Sequence, residues 1–309
     1  MPGRRTILIF CSALFLAASG IVWAGCAPAP NAGSETARKT TGPKGSPGAG
    51  AITSTVTPPG TSAGTQAPAG SQLNGPATSQ VSDQPSTAPA GGSYALIYNG
   101  PVAATGATTA IAAVAAQDGL PVKYISNIQD LPALLPGAKV FIIGGTEDDL
   151  SPLVAAFKPE IAAALKNYLR NGGRYLGICG GGYMASTGWE EYGQSFTSLG
   201  IIPARSGSFT GGEADPRILP VSWLGQTRQM YYQDGPVFYL MPTAEQTRMI
   251  ACYADGRVAA FISSYGRGEV AVSGVHPEAT ASWIYGAANG GAWTSSVPLA
   301  VDLLRELLR

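Results

Sequence analysis

A short stretch of the chain, residues 174–185, places the tightest constraint on the fold. It reads Arg-Tyr-Leu-Gly-Ile-Cys-Gly-Gly-Gly-Tyr-Met-Ala. The apolar run 175–178 predicts a buried strand that ends on Cys179, and a helix is able to begin after the glycines. These glycines let the backbone turn sharply without a clash of a Cβ atom. The pattern therefore predicts a strand, a tight turn and a helix, with Cys179 where hydrolases with a nucleophile elbow have serine.

Two interpretations of Cys179 are open at this point. At the start of a helix, free N–H groups and the positive end of the helix dipole favour a thiolate, which is the form that a cysteine nucleophile requires. A free cysteine is also often no more than a small buried apolar residue. The catalytic interpretation needs a partner that accepts the thiol proton, and His276 is the sole histidine of the chain.

The residues around His276 are suited to this role. His276 follows a predicted strand, 269–273, and Glu278 lies two residues further, on the same side of an extended backbone. A thiol with an ordinary pKa of roughly 8.5 is mostly protonated at neutral pH and needs a base. We expect His276 to be that base, Glu278 to fix its tautomer, and the N–H groups of Gly145 and Gly180 to form an oxyanion hole. The alternative for an isolated His-Pro-Glu sequence is a surface turn.

Residues 1–26 predict a targeting segment. The basic pair Arg4-Arg5 precedes an apolar run, 7–24, and the segment ends in Ala-Gly-Cys. This ending resembles a bacterial lipobox, in which Cys26 is lipidated and becomes the new N-terminus. The alternative is an uncleaved anchor, because the run is about long enough to span a bilayer. Both interpretations predict an exported protein attached to the outer face of the cytoplasmic membrane or to the cell envelope, with the membrane as a partner.

Composition divides the rest of the chain into two parts. Residues 27–92 contain no aromatic residue and are rich in Pro, Thr, Ser, Gly and Ala, which predicts a disordered tether. Residues 93–309 are long enough to bury one sizeable core and form the predicted folded domain. The chain carries 19 basic and 19 acidic side chains, so nothing indicates the basic surface that a nucleic-acid partner requires.

Strands and helices alternate in the first half of the folded domain. Continuous apolar strands such as 139–143 are typical of a parallel sheet covered on both faces, and such sheets gather their sites at the carboxyl ends of the strands. The predicted strands are 94–98, 121–125, 139–143 and 174–178, and the predicted helices are 108–117 and 159–170. A β-rich extension follows, with strands 218–223, 229–233, 248–253 and 258–263, before strand 269–273 and a closing helix, 297–308.

The remaining reactive groups predict neither a cofactor nor a metal site. Cys252 lies in an apolar predicted strand, and we interpret it as a buried, unpaired thiol rather than a disulfide partner of Cys179. Adjacent carboxylates at 147–149 and 190–191, without a second histidine, predict solvated loops. The glycines after Cys179 lack the Lys-Ser/Thr ending of a phosphate-binding loop.

Two motifs together resemble the class I glutamine amidotransferases. These are Gly-Ile-Cys-Gly-Gly at 177–181 and Val-His-Pro-Glu at 275–278. Four longer segments are similar to the domain found at the N-terminus of fungal biotin-protein ligases, which also occurs alone in bacteria. They are residues 141–145, 175–183, 231–236 and 265–278, and they occur in the order in which that domain has them.

The resemblance implies a flavodoxin-like α/β fold, a three-layer sandwich with a central, mostly parallel sheet and the β-rich extension. It also implies that Cys179 is the nucleophile, His276 the base and Glu278 its orienting acid. We therefore expect a membrane-tethered, cysteine-dependent amide (C–N) hydrolase that acts on a small-molecule or peptide substrate outside the cytoplasm. The alternative is a non-catalytic module of the same fold that binds a ligand or a protein, because fold alone does not determine function.

Overall fold

The structure is a computed structural model that describes residues 92–191, 194–244 and 246–309. The predicted targeting segment, with Cys26, and the predicted tether up to residue 91 lie outside the described residues. Within the described residues, no helix combines the length and the apolar character needed to cross a bilayer.

The described part of the chain alternates between strands and helices before it becomes β-rich. The strands are β1 (Tyr94–Tyr98), β2 (Val122–Ile125), β3 (Ala138–Ile143), β4 (Arg174–Ile178), β5 (Gly188–Glu191), β6 (Gln194–Thr197), β7 (Ala204–Ser208), β8 (Arg217–Trp223), β9 (Gln226–Tyr232), β10 (Pro236–Leu240), β11 (Thr247–Tyr253), β12 (Val258–Tyr265) and β13 (Gly268–Ser273). The helices are α1 (Thr105–Gln117), α2 (Leu131–Leu134), α3 (Ser151–Ala156), α4 (Pro159–Arg170), α5 (Gly180–Ala185) and α6 (Val297–Leu307), and short 3-10 helices cover Ile128–Asp130, Leu135–Gly137, Ala281–Trp283 and Gly290–Ala292.

An eleven-stranded sheet forms the centre of the molecule. Its first half, in the order β2-β1-β3-β4-β13, is parallel throughout. From β13 the sheet continues through β12, β11, β8 and β9 in antiparallel pairs, while β10 joins β12 and β7. The predicted β-rich extension is therefore a continuation of the main sheet. Strands β5 and β6 form a separate hairpin.

Helices cover both faces of the parallel strands because successive side chains of a strand point to opposite faces. Ile97 of β1 packs in the same apolar cluster as Leu304 of α6, and this cluster also contains residues of α1. Its neighbour Leu96 packs on the other face with Leu165 of α4. Burial of each such side chain contributes about 1.5–3 kcal/mol. The predicted three-layer α/β sandwich is confirmed.

Helix α4 shows how closely the local sequence determines one element. Its bounds, Pro159–Arg170, agree with the prediction, and Pro159 occupies the first turn, where its missing N–H needs no partner. Ile161, Leu165 and Leu169 form the buried face. The helix ends before Gly172, whose φ of +100° suits glycine.

Short and weakly patterned elements escaped prediction. Helices α2 and α3 have four and six residues, too few to show a helical period. Strands β5, β6 and β7 are short, and β7 is rich in small polar residues. Strand β10 begins with Pro236, a residue that argues against a strand in a sequence pattern.

The interpretation of Cys252 as an unpaired thiol is wrong. Cys252 is disulfide-bonded, whereas the thiol of Cys179 is free. The apolar sequence of β11 predicted burial correctly, and Cys252 is buried. Burial alone carries no information on whether a cysteine is paired.

The contact at Gly177 provides a test of the packing beneath the turn that follows β4. A Cβ atom at this position would lie 2.4 Å from the carbonyl oxygen of Gly181, a backbone atom that has little freedom to move. We expect Gly177→Ala to lower the free energy of unfolding by about 1–3 kcal/mol, as overpacking does. Chemical denaturation would measure this change.

Gly291 offers a matched control, since a Cβ atom there meets no other atom within 4 Å. We expect Gly291→Ala to change the free energy of unfolding by no more than about 0.5 kcal/mol. Equal stability of the two variants would contradict the close packing at Gly177.

Candidate active site

Strand β4 delivers Cys179 to the carboxyl edge of the parallel sheet. Cys179 has φ +52° and ψ −111°, a positive-φ conformation outside the left-handed helical region that is uncommon for a residue with a side chain. Its N–H donates to the carbonyl of Ser273 at the end of β13, at 2.8 Å. Its own carbonyl accepts from the N–H groups of Gly182 and Tyr183, at 2.8 and 3.1 Å. The sulfur therefore projects from a turn that is bonded on both sides.

The glycines after Cys179 allow this turn to pack against the end of β3. A Cβ atom on Gly180 would lie 2.0 Å from Oγ1 of Thr146, and one on Gly181 would lie 1.9 Å from the carbonyl oxygen of Ile143. Only glycine fits at either position without a shift of its neighbours. The sequence Cys-Gly-Gly thus reflects a close approach of two strand ends.

His276 and Glu278 follow β13, the strand beside β4. Nδ1 of His276 donates to Oε1 of Glu278 at 2.9 Å, and both side chains are buried. The backbone N–H of His276 donates to the carbonyl of Tyr231 at 2.9 Å. The rings of Tyr231 and Trp283 meet the imidazole edge to face, with centroids 5.6 and 5.5 Å away. The imidazole is therefore held in one orientation, with Nε2 left for another partner.

The surroundings of His276 favour its protonated form. Burial lowers the pKa of the imidazole, but the charge of Glu278 and hydrogen bonds with Cys179 and Glu278 outweigh burial and raise the pKa to about 10. At neutral pH the ring consequently holds a proton, which is the form that accompanies a cysteine thiolate and that donates to a leaving group.

A cavity of about 350 Å³ brings the predicted residues together. Cys179, Gly180, Gly145 and His276 line it, and Glu278 lies behind the imidazole with no exposed surface. A Cβ atom on Gly145 would lie 3.0 Å from Cε1 of His276, so glycine leaves room for the ring. The strand order places the ends of β3, β4 and β13 side by side, which explains why these distant segments meet.

The thiol of Cys179 has a second neighbour. Its Sγ donates to the carbonyl oxygen of Gln233, at 3.6 Å, and the residue is only 8% exposed. A ligand must therefore enter the cavity to reach the sulfur, and the sulfur must leave this carbonyl to react.

Further residues line the cavity. Among the aromatic residues, Tyr183 and Trp189 line the cavity, whereas Tyr232 is buried and its hydroxyl donates to the carbonyl of Gly235 at 3.1 Å. The lining residues that the sequence did not single out as functional include Glu147, Asp148, Tyr231, Gln233, Asp234 and Trp283.

The sequence indicated some of these lining residues more clearly than others. Tyr231, Gln233 and Asp234 fall within residues 231–236, one of the segments that carried the family resemblance, so they were available as candidates. Glu147 and Asp148 belong to the acidic run that was interpreted as a solvated loop; both are exposed and also line the cavity. Trp283 lies in a short 3-10 helix with no recognisable pattern.

A second cavity, of about 430 Å³, shares Tyr183 and Trp189 with the first. Arg205 and Glu190 line it and form an ion pair of 3.4 Å. Among the described residues, no group of three or more His, Cys, Asp and Glu side chains is placed to hold a metal ion.

Comparison with known proteins agrees with the resemblance seen in the motifs. Residues 128–220 match the family described as biotin-protein ligase, N terminal. The resemblance to this N-terminal domain is confirmed. The matched range contains Gly145, Cys179 and Gly180 and ends before His276 and Glu278.

Curated relatives match a similar share of the chain. Cobyric acid synthase of Desulforudis audaxviator is 31% identical over 90 residues, which are 29% of this chain and 17% of that protein. The cobyric acid synthase of Trichormus variabilis is 37% identical over 91 residues, which are 28% of this chain and 18% of that protein. The chain thus matches less than a fifth of the length of these relatives.

Two solved structures are similar to this chain. The structure of SMU.1228c has a TM-score of 0.50 and 11% identity, and the match covers 70% of this chain and all of that one. A glutamine amidotransferase from Thermotoga maritima has a TM-score of 0.49 and 12% identity, with 71% and 97% of the two chains covered. At these identities the likeness to SMU.1228c concerns the fold alone.

The pairing of His276 with Glu278 can be tested by titration. In Glu278→Gln the carboxylate no longer attracts the imidazolium, while burial still disfavours the charged ring. We therefore expect the pKa of His276 to fall from about 10. Because the chain has one histidine, NMR of untagged protein labelled at histidine reports this titration without overlap.

Glu269→Gln is the matched control. Glu269 lies at the other end of β13, where it pairs with Arg248 at 3.1 Å. We expect this variant to leave the titration of His276 unchanged. An unchanged titration in Glu278→Gln would contradict the contribution assigned to Glu278.

Proposed function

We propose that this protein is a cysteine-dependent hydrolase of amide C–N bonds. One observation carries the proposal: a free thiol and a buried imidazole, itself bonded to a carboxylate, line the same cavity. The amidotransferase-like fold is compatible with chemistry at an amide group. A cysteine next to a histidine that is oriented by a third group is the arrangement that nucleophilic catalysis requires.

The first half of the proposed reaction forms a thioester. The raised pKa of His276 favours an ion pair in which Nε2 of His276 already holds the proton of the Cys179 thiol, and the thiolate attacks the carbonyl carbon of the substrate amide. The N–H groups of Gly145 and Gly180 stabilise the negative oxygen of the tetrahedral intermediate. As this intermediate collapses, the C–N bond breaks and the imidazolium of His276 protonates the departing amine.

The second half returns the enzyme to its starting state. His276, now neutral, takes a proton from a water molecule that attacks the thioester carbonyl. Collapse of the second tetrahedral intermediate breaks the C–S bond, releases a carboxylic acid and leaves Cys179 as a thiolate beside the protonated His276. Throughout both halves Glu278 keeps the Nδ1 proton in place, so that Nε2 is the atom that exchanges protons.

A non-catalytic binding module is the second candidate. The contact of the Cys179 thiol with the carbonyl of Gln233, at 3.6 Å, favours this candidate because it holds the sulfur as a donor in a nearly closed position. In such a module, the cavity would hold a small ligand or part of a protein, and the thiol would contribute packing only.

We further propose that the protein acts outside the cytoplasm, tethered to the membrane through Cys26 or through an uncleaved segment before it. The apolar run 7–24 and the tether-like composition of residues 27–92 support this location.

Alkylation of Cys179 distinguishes the enzyme from the binding module. If His276 takes the thiol proton, iodoacetamide at neutral pH modifies Cys179 rapidly, and His276→Ala slows the reaction by at least about tenfold. Peptide mass spectrometry of the full-length chain locates and times the modification.

Trp283→Ala serves as the control for cavity shape. It removes a ring packed 5.5 Å from the imidazole and opens the cavity, but it keeps the proton acceptor. We expect its labelling to stay fast. Equally slow labelling of wild type and His276→Ala would reject the enzyme in favour of the binding module.

The proposed attachment predicts the mature N-terminus. We expect the protein in the membrane fraction of a bacterial host, beginning at Cys26 and carrying a lipid, whereas Cys26→Ser abolishes the lipid. Intact-mass measurement of purified protein checks both. A soluble wild-type chain that lacks residues 1–26 and carries no lipid would contradict the proposal. An uncleaved chain in the membrane fraction would establish the uncleaved anchor.

A further inference from the structure

The charges around the cavity are strongly one-sided. Three carboxylates line it, those of Glu147, Asp148 and Asp234, and none of the described residues that line it is lysine or arginine. Arg205 lines the neighbouring cavity, where Glu190 pairs with it at 3.4 Å. The protein therefore presents negative charge to whatever approaches Cys179.

Neighbouring residues hold Asp234 in place through hydrogen bonds. It follows Gln233, whose carbonyl contacts the Cys179 sulfur, and it occupies a tight turn with φ +45°. Tyr183 donates its hydroxyl to the carbonyl of Asp234 at 3.3 Å, and the Ser208 hydroxyl donates to Oδ1 at 2.5 Å. The carboxylate is thus fixed beside the reactive centre.

The acids also disfavour one another. Burial raises the pKa of Asp234, the Ser208 hydrogen bond opposes this, and the charge of Asp148 raises the pKa further. A cation bound between the two carboxylates would remove this repulsion, whereas a bound carboxylate would add to it.

Aromatic rings complete a wall suited to a cation. Tyr183, Trp189, Tyr231 and Trp283 line the same cavity as the three acids. The faces of tryptophan and tyrosine rings attract ammonium and guanidinium groups. A carboxylate within the cavity finds no lysine or arginine among the described lining residues, and the imidazolium of His276 is already paired with Glu278, so the desolvation of that carboxylate is poorly compensated.

We propose that the cavity selects amide substrates that carry a positively charged group, an amine or a guanidinium, close to the scissile bond, and rejects substrates that carry a carboxylate there. This inference rests on the proposed function, because it names the substrate class of the same site. The acidic residues provide selectivity around Cys179 and do not form a separate site.

Charged thiol reagents of matched size test the inference without a known substrate. The cation 2-aminoethyl methanethiosulfonate and the anion 2-sulfonatoethyl methanethiosulfonate both convert a thiol into a mixed disulfide. In the full-length chain at low salt, we expect the cation-to-anion ratio of rate constants at Cys179 to exceed the ratio for 2-mercaptoethanol by at least about tenfold. Peptide mass spectrometry separates Cys179 from other thiols.

Removal of the acids identifies the source of the selectivity. We expect Asp148→Asn with Asp234→Asn to reduce the ratio by about tenfold, since asparagine keeps the shape and the acceptor for Ser208 but loses the charge. Asp149→Asn changes the charge of a neighbouring residue outside the lining and should leave the ratio close to that of wild type.

Two outcomes would overturn the inference. One is a wild-type ratio no higher than that of 2-mercaptoethanol, and the other is a high ratio that persists in the double variant. Both outcomes are independent of catalysis. The intrinsic reactivity of the thiol affects the rate constants of the two reagents equally and therefore cancels in their ratio. Slow reaction with iodoacetamide that is unaffected by His276→Ala would reject the proposed function and leave this ratio interpretable.

Discussion

The backbone turn at Cys179 is the constraint on which the rest of the site depends. A side chain at φ +52° costs about 1–3 kcal/mol and persists only where its surroundings hold it there, as they do here. The N–H of Cys179 is bonded to the end of β13, its carbonyl begins α5, and Gly180 and Gly181 press against the end of β3. The same contacts that maintain the strain also bring three strand ends together. The sulfur is therefore exposed to the cavity by the packing of the sheet and not by a flexible loop.

The topology of the sheet then places His276 beside Cys179. Because β13 pairs in parallel with β4, the residues that follow both strands emerge at one edge, and His276 meets Cys179 although the β-rich extension separates them in sequence. Glu278 is buried completely, so its charge acts on the imidazole through a medium in which electrostatic interactions are strong. Its Oε2 has no hydrogen-bond partner among the described residues. A buried carboxylate without an opposite charge lowers the stability of the fold, and the imidazolium of His276 beside it supplies that opposite charge.

The sequence predicted the parts of the structure that have strong local signals. The continuous apolar strands, the helical period of α4 and the glycines after Cys179 were each sufficient to predict the element in which they lie. The predicted strand ends placed Gly145, Cys179 and His276 at one edge of the sheet. Elements without such signals escaped: β7 and β10, the short helices, and the pairing of Cys252. Asp234 and Trp283 reach the cavity through long-range packing, which no local pattern encodes. Their contribution, a negative and aromatic wall, is what distinguishes this cavity from a bare cysteine–histidine pair.

The formation of a covalent acyl intermediate on Cys179 is the most direct test of the central claim. Mixing the full-length protein with p-nitrophenyl acetate and following p-nitrophenolate resolves acylation from turnover. The account predicts a burst close to one equivalent per chain, with the acetyl group on Cys179, and hydrolysis of this thioester that depends on His276. A burst that survives in Cys179→Ser, or an acetyl group found only on lysines or the N-terminus, would contradict it.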